Sequence, residues 1–358
     1  MGQNGSRFFG KGRALMGVTV REMTAADCLP WDEFVANCSE ATFFHRAGWK
    51  NVLEQAFGHR CYFLLAEADD DVLGVLPLAH VKSLLFGNSL SSLPFCVYGG
   101  IAAISEEAHS ALRQAACELA EGLGVDALEF RGSEAALPGW SGKDLYYTFR
   151  KEIGRDNDVN LKAIPNRQRA MIRKGIKNGL LSEEDSGSAR LYRVYSESVR
   201  NLGTPVFSRK YFDILQSEFG EDCRILMIRE GDEDVAGVMS FYFRGEVLPY
   251  YGGSIRRARA IPGCNHFMYW ELMRRSAEQG ISSFDFGRSK AGTGPYSFKK
   301  NWGFVPQPIP YEYYLVKGDS VPNVNPANPK YKLLIETWSR LPLWLANTIG
   351  PPLARNLG

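Results

Sequence analysis

An internal repeat constrains the fold more than any other feature of this sequence. The segment FHRAGWKNVLEQAFGHRCYFLLAEADDDVLGVLPL begins at Phe44, and the related segment FSRKYFDILQSEFGEDCRILMIREGDEDVAGVMSF begins at Phe207. The matched landmarks are Phe57-Gly58 with Phe219-Gly220, Cys61 with Cys223, Asp71-Val72 with Asp234-Val235, Tyr98-Gly99-Gly100 with Tyr251-Gly252-Gly253, and Leu128-Glu129-Phe130 with Phe284-Asp285-Phe286. Because these landmarks keep their order, the sequence predicts a duplicated fold whose loops differ in length between the copies.

Each copy predicts the same succession of elements. An amphipathic helix over 46–57 or 209–219 ends at a glycine, and two apolar strands joined by an acidic turn follow it. Another strand ends at the Tyr-Gly-Gly triplet, and a longer helix comes next, over 105–124 in the first copy and 265–279 in the second. One further strand closes each copy. This pattern predicts an α/β fold of the α+β type, with a mixed sheet in each copy.

The polar stretch KEIGRDNDVN separates the two copies and sets the predicted domain boundary. We expect a disordered leader over 1–16, a first domain over 17–155 and a second domain over 156–317. Residues 318–358 combine a linker rich in proline and asparagine with a C-terminal amphipathic helix. That tail carries Trp344 and Arg340, so it either docks on the body of the protein or makes a peripheral contact with a membrane.

Composition narrows the classes of function and the compartment. Of the 358 residues, 45% are hydrophobic and the formal net charge is +2, so a large core is expected and any basic site must be local. The seven cysteines have no CxxC spacing, which favours reduced thiols and argues against zinc. No segment reaches the roughly 18 apolar residues of a membrane span. We therefore expect a cytoplasmic protein without a bound metal.

Three stretches resemble the FemAB peptidyltransferases. They are FFHRAGW over 43–49, NRQRAMIRKGIKNG over 166–179, and FDFGR over 284–288 followed by YSFKKNWGF over 296–304. A fourth stretch, LLFGNSLSSLPFCVYGG over 84–100, is similar to the FemAB-related proteins associated with exosortase and PEP-CTERM systems.

The resemblance implies a tandem duplication of the GNAT-like acyl-CoA N-acyltransferase fold. It also implies transfer of an acyl or aminoacyl group onto an amine of a cell-envelope or exopolysaccharide precursor. The expected donor is aminoacyl-tRNA or an acyl-CoA, with no tightly bound cofactor. The expected partner is an anionic small molecule or a lipid-linked glycan or peptide precursor. A catalytically inactive scaffold protein of the same pathway is the alternative.

Acyl transfer to an amine needs a positioned carbonyl, a stabilised oxyanion and an acceptor for the amine proton. The sequence has no Gly-x-Ser-x-Gly elbow and no His-Glu-x-x-His motif, so no covalent intermediate or catalytic metal is expected. The resemblance places Lys299 at the family's FK lysine, which would stabilise negative charge. Tyr296 and Phe298 would line the acyl channel. The alternatives are a surface lysine paired with Lys300 and aromatic residues of an ordinary core.

Cations provide the candidate substrate-binding residues. Arg169, Arg173 and Lys177 are spaced by four, which places them on one helix face suited to a phosphate-rich ligand or to simple solvation. Arg209 and Arg288 are further candidates for binding an anionic substrate. The glycine-rich pyrophosphate turn of ordinary coenzyme-A acetyltransferases is missing before the helix that starts near 265. That absence favours an unusual acyl donor.

Overall fold

The computed structural model describes residues 13–15, 17–83, 87–132, 139–318, 321 and 329–357. The chain divides into two compact units. Unit 1 holds Met1–Asp144, Ile309–Val324 and Asn356–Gly358, and unit 2 holds Leu145–Pro308 and Asn325–Arg355.

The secondary structure follows the succession expected from the repeat. The strands in chain order are β1 (Arg13–Leu15), β2 (Val18–Glu22), β3 (Arg60–Ala68), β4 (Asp71–Ser83), β5 (Gly87–Ser92), β6 (Ala102–Ala103), β7 (Ala127–Arg131), β8 (Ser141–Thr148), β9 (Arg150–Glu152), β10 (Leu181–Asp185), β11 (Cys223–Glu230), β12 (Glu233–Phe243), β13 (Glu246–Ser254), β14 (Ser283–Asp285), β15 (Ser289–Lys290) and β16 (Gln307–Leu315). The α-helices are α1 (Cys28–Asn37), α2 (Gly48–Phe57), α3 (Glu106–Leu123), α4 (Asn157–Ala163), α5 (Asn166–Lys177), α6 (Ser188–Asn201), α7 (Arg209–Phe219), α8 (Cys264–Glu278), α9 (Gly294–Asn301), α10 (Pro329–Trp338) and α11 (Leu343–Ala354).

The two sheets share one strand order. Unit 1 runs β2-β3-β4-β5-β7, and unit 2 runs β10-β11-β12-β13-β14. Neighbours are antiparallel except for the last pair of each series, β5 with β7 and β13 with β14, which are parallel. This equivalence confirms the predicted mixed α/β fold in two copies.

A sixth strand completes each series, and it comes from the other half of the chain. In unit 1, β16 pairs antiparallel with β7, and in unit 2, β9 pairs antiparallel with β14. The units therefore differ from the predicted boundaries at 155 and 317, because residues 145–155 belong to unit 2 and residues 309–317 to unit 1. Of the predicted leader over 1–16, residues 1–12 and 16 lie outside the described residues. The remaining three residues form β1, which pairs with β2.

Helices cover both faces of the unit 2 sheet. On one face, α6 packs on β12 and β13, and a Cβ added to Gly237 would lie 3.1 Å from Leu191 of α6. On the other face, α8 packs on β11 and β12, and α5 packs on α8. The core on this second face includes Val238, Phe267 and Trp302. The two faces carry different candidate residues, as described below.

The repeated Tyr-Gly-Gly triplets do not have the same conformation. In unit 2 the triplet lies inside β13, which ends at Ser254. In unit 1, β5 ends at Ser92, and Gly99 has a φ of 151° in the turn that follows. The expectation that a strand ends at the triplet is therefore wrong for the first copy. The turn brings Gly100 to the end of β7 instead, where its N–H donates to the carbonyl of Arg131 over 3.0 Å.

Candidate functional site

The parallel strands of unit 2 separate soon after they meet. β13 and β14 pair only at Glu246 with Ser283 and at Val247 with Phe284. The register between β12 and β13 then shifts, so that Tyr250 has no opposite residue on β12. Such a bulge bends and twists its strand. Beyond Val247, β13 therefore presents an open edge that no described strand of unit 2 covers on that side.

Asp285 is the last residue of β14 and is fully buried. Its carboxylate accepts hydrogen bonds from the Thr148 hydroxyl at 2.6 Å and from the Gly287 N–H at 2.8 Å. Arg150 adds a longer ionic contact at 3.5 Å. The carboxylate thus fixes the turn that follows the strand. Glu129 at the matching position of unit 1 is also held, by Arg131 at 2.7 Å.

Lys299 lies in α9, whose first turn is capped by the Thr293 hydroxyl. Its side-chain nitrogen donates to the carbonyl oxygens of Gly287 at 2.8 Å and of Arg288 at 3.2 Å. The residue is 9% exposed, whereas the neighbouring Lys300 is exposed. Its nitrogen also lies 5.6 Å from the centre of the Phe149 ring. The structure therefore places Lys299 against the turn that ends β14.

Burial lowers the pKa of Lys299 to about 7, although Asp285 acts in the opposite direction and Arg288 reinforces the decrease. At neutral pH both protonation states are then populated. A neutral amine has two N–H donors and one lone pair, and the two carbonyls satisfy both donors. The lone pair is left to accept a proton. The ammonium form has a third N–H, which can donate to an oxyanion.

Tyr296 and Phe298 pack on different aromatic neighbours. The Tyr296 ring meets the edges of Tyr147 at 5.6 Å and of Phe149 at 5.3 Å. Phe298 lies among four rings, those of His266, Tyr269, Phe286 and Trp302, with centroid distances from 5.0 to 6.3 Å. Both residues are partly buried against the core of this face. Phe149 links Tyr296 to the lysine, because it contacts both Tyr296 and Lys299.

Three polar ring groups around Phe298 were missed by the sequence analysis. The side chains of His266 and Tyr269 on α8 have no hydrogen-bond partner in the described part of the chain, and Trp302 Nε1 is buried without one. Burial lowers the pKa of His266 and raises that of Tyr269 to about 12. Both groups are therefore neutral near pH 7. Of the three, only Trp302 Nε1 is a buried unpaired donor, which is uncommon in folded proteins, whereas His266 and Tyr269 are half-buried. The cluster therefore offers a polar ligand or water one buried donor and two more accessible polar groups.

Tyr269 also faces the open strand. A Cβ added to Gly252 of β13 would lie 3.4 Å from the Tyr269 hydroxyl oxygen, so the glycine leaves space beside it. The matching region of unit 1 is filled by the turn after β5. There, buried Arg131 donates to the carbonyls of Leu93 at 3.3 Å and Cys96 at 3.0 Å. Gly287 occupies the repeat position of Arg131. Only unit 2 therefore combines an open strand edge with a buried lysine among the described residues.

The candidate cations fall into three places. Arg288 directly precedes β15, and its guanidinium lies 4.4 Å from the centre of the Tyr146 ring. Arg209 begins α7, where it pairs with Asp213 at 3.6 Å, and α7 packs beside α6 on the other face of the sheet. The structure thus brings Arg288 to Lys299 and does not bring Arg209 there.

The α5 cations form the third place. Arg173 and Lys177 are exposed, and Arg169 donates to Asn166 in the preceding turn. The helix adjoins the end of α9, because a Cβ added to Gly303 would lie 3.3 Å from Pro165. No contact among the described residues joins Lys299 to these three cations. They form a separate basic surface on the same face of the sheet.

The start of α8 lacks a glycine-rich turn. A 3₁₀ helix over Arg256–Ala260 precedes α8, and Gly263, the N-cap residue of α8, has a φ of 88°. A Cβ on Gly263 would lie 2.1 Å from the carbonyl oxygen of Met171, so α5 covers this helix end closely. Among the described residues, no group of three or more His, Cys, Asp or Glu side chains could hold a metal ion. None of the described helices is long and apolar enough to cross a bilayer.

Comparison with known proteins agrees with this architecture. Residues 166–300 match the family model described as an acetyltransferase (GNAT) domain, and no curated protein sequence matches the chain. The structure of FemX gives a TM-score of 0.65 at 15% identity, over 88% of this chain and 99% of that chain. The C-terminal domain of a putative lysylphosphatidylglycerol synthetase from Agrobacterium fabrum gives a TM-score of 0.56 at 14% identity, over 82% of this chain and 93% of that chain.

A tandem GNAT protein from the clavulanic acid biosynthesis pathway gives a TM-score of 0.51 at 10% identity, over 85% of this chain and 100% of that chain. At such identities the likeness concerns the fold. Together with the repeated strand order, it confirms the predicted fold class. The chain therefore has a tandem GNAT-like fold, and residues 166–300 in its second copy match the acetyltransferase (GNAT) domain model.

Proposed function

We propose that the chain is a Fem-type N-acyltransferase that moves an acyl or aminoacyl group onto an amine of a cell-envelope or exopolysaccharide precursor. The proposal includes a role in a PEP-CTERM/exosortase system, which rests on the stretch over 84–100 alone. The observation that carries the enzymatic assignment is the buried Lys299 amine held by two carbonyls beside the open edge of β13.

The reaction balances with this chain's own groups. The acceptor amine attacks the acyl carbon, a C–N bond forms, and the C–S or C–O bond to the donor breaks. The neutral Lys299 amine takes the proton from the attacking nitrogen. Its two N–H groups donate to the carbonyls, so the lysine lone pair is available to accept this proton. Tyr269, whose raised pKa keeps it protonated, gives a proton to the departing sulfur or oxygen. Solvent then carries the proton from the Lys299 ammonium back to the Tyr269 phenolate, which restores both groups.

The donor is an aminoacyl-tRNA or an acyl-CoA that binds only for the reaction, without a tightly bound cofactor. The α8 start lacks a glycine-rich turn, which weighs against the usual grip on coenzyme A. The cations Arg169, Arg173 and Lys177 are the proposed phosphate contacts, and Arg288 is the proposed contact for an anionic acceptor, such as a lipid-linked glycan or peptide precursor. Arg209 lies on the other face and would serve a separate part of the substrate.

The test begins with mass spectrometry of molecules that copurify with the full chain, which identifies donor and acceptor. Acyl transfer is then measured for the wild type, Lys299→Ala, Lys299→Arg and the control Lys300→Ala. Loss of the buried amine should lower kcat by about 10²–10³, and Lys300→Ala should leave it unchanged. Arginine should not restore the rate, because it cannot lose its proton. A Lys299→Ala protein that restores the pathway fully in cells would favour the scaffold alternative.

A further inference from the structure

The last helix of unit 2 turns its small residues inward. Between Leu343 and Ala354, α11 contains no charged residue, and its buried positions are Ala346, Gly350 and Ala354. These three are spaced by four and therefore lie on one helix face. A Cβ added to Gly350 would lie 3.1 Å from the Val206 nitrogen, so the helix lies directly on the chain after α6.

Further contacts fix the orientation of this helix. The Arg200 guanidinium donates to the carbonyl of Leu341 over 2.8 Å, and the Asn347 amide reaches the Ser196 hydroxyl at 3.4 Å. Gly203, with a φ of 75°, packs so closely that a Cβ there would lie 2.6 Å from the carbonyl oxygen of Ile335. The tail thus docks on α6, and the side of α11 that faces outward is set by these contacts.

The outward side carries the large apolar residues. Trp344 is 70% exposed and Ile349 is 38% exposed, with the uncharged Thr348 and Pro352 between and beyond them. A helix that is apolar on all sides is ordinarily buried, whereas this one presents its largest side chains to water. An exposed apolar face of this kind is typical of an interaction surface.

The local charge indicates what that surface is. Residues 339–355 contain Arg340 and Arg355 and no acidic residue. The Arg340 side chain is exposed and has no partner in the described part of the chain. Exposed tryptophan next to cations is typical of helices that lie in the interface of a bilayer, where the ring meets the headgroups and the cations meet anionic lipid.

We propose that the outward side of α11, which carries Trp344 and Ile349 and has Arg340 shortly before its first residue, docks on an anionic membrane surface. This inference does not depend on the acyltransferase activity, since it rests on a surface formed by the C-terminal helix. It would hold equally for a scaffold protein.

The test is cosedimentation of the full chain with vesicles of phosphatidylcholine alone or mixed with phosphatidylglycerol. Wild type should bind the anionic vesicles, and Trp344→Ala should bind them at least about tenfold more weakly, because the ring contributes most of the apolar area. Arg340→Gln should weaken binding about fivefold on anionic vesicles. The matched control is Leu29→Ala, which removes a side chain that is 77% exposed on α1 and should leave binding unchanged.

Thermal unfolding should be the same for Trp344→Ala and wild type, because the lost side chain is mostly in water. The proposal is overturned if wild type ignores anionic vesicles, or if Trp344→Ala and wild type bind alike. It is also overturned if the lipid-free protein is a dimer in sedimentation velocity that Trp344→Ala converts to a monomer. In that case a second copy of the chain covers the face.

Discussion

The side-chain nitrogen of Lys299 lies 2.8 Å from the carbonyl oxygen of Gly287, and this contact holds a buried amine against the turn after β14. Gly287 has a φ of 68°, a conformation that glycine adopts readily. A Cβ at this position would also lie 3.2 Å from Leu248 Cδ1. The turn therefore requires glycine for both its conformation and its packing, and the lysine depends on that turn.

Replacing Lys299 by methionine should stabilise the protein at neutral pH. Burial lowers the lysine pKa to about 7 from its ordinary value of 10.5. The unfolded chain therefore binds this proton at a higher pH than the folded chain does, and wild type loses stability as the pH falls through that window. The full penalty, roughly 3–5 kcal/mol, is present below pH 7 and absent above 10.5. Methionine carries no charge and therefore avoids this penalty at every pH.

Urea unfolding of wild type and Lys299→Met at about pH 6, 8 and 10 measures this difference. The stabilisation by methionine should shrink as the pH rises. Lys300→Met, at an exposed position, serves as the control and should show no such trend. A difference in unfolding free energy that stays constant with pH would contradict the assignment of a perturbed lysine.

The closed region of unit 1 makes a separate prediction. Arg131 is 4% exposed and joins Glu129 to the carbonyls of Leu93 and Cys96. Arg131→Met should cost about 3–5 kcal/mol of stability, because it leaves the mostly buried Glu129 carboxylate without its partner. Chemical denaturation measures the loss. Arg113→Met on α3 should change stability by less than about 0.5 kcal/mol, and an equal effect of both variants would contradict the proposed role.

Much of the fold could be predicted from local signals. Gly58 and Gly124 end their helices with φ values of 69° and 61°, and Ser105 caps α3 by accepting from the Ala108 N–H. Such signals lie within a few residues of the element that they define. The exchange of β9 and β16 could not be predicted in this way. The three residues of β9, Arg150–Glu152, are all charged, and their partner β14 is distant in the sequence.

The candidate site likewise combines features that the sequence predicts with features that only the structure reveals. Its lysine is found from the sequence only through a family resemblance, since a Lys299-Lys300 pair by itself indicates a surface. Its burial results from contacts with Gly287, Arg288 and Phe149 that the sequence does not reveal. Tyr269 likewise resembles an ordinary core residue of α8. It stands out only when all hydrogen-bond partners are known.

The basic face of α5 predicts a salt dependence of ligand binding. Changing Arg169, Arg173 and Lys177 to glutamine should weaken binding of charged tRNA or coenzyme A. It should also reduce the dependence on salt, because fewer phosphate counterions are displaced. Fluorescence titrations at several salt concentrations measure both effects for each ligand. These substitutions lie at exposed or half-exposed positions and should leave the fold intact.

A matched triple change in unit 1, at Arg60, Lys82 and Arg113, removes the same formal charge and serves as the control. Its salt dependence should equal that of wild type. If the two triple variants weaken binding equally, the effect comes from net charge, and α5 is not a specific phosphate contact.

Tyr269→Phe should separate catalysis from stability. The Tyr269 hydroxyl has no hydrogen-bond partner in the described part of the chain, so its removal breaks no internal bond and should leave the free energy of unfolding unchanged. If the hydroxyl protonates the leaving atom, the transfer rate should fall about 10²-fold. Tyr192→Phe is the control, because Tyr192 has a half-buried, equally unpartnered hydroxyl on the α6 face of the sheet. Equal rates in both variants, or a marked loss of stability in Tyr269→Phe alone, would show that Tyr269 supports the core and does not donate a proton.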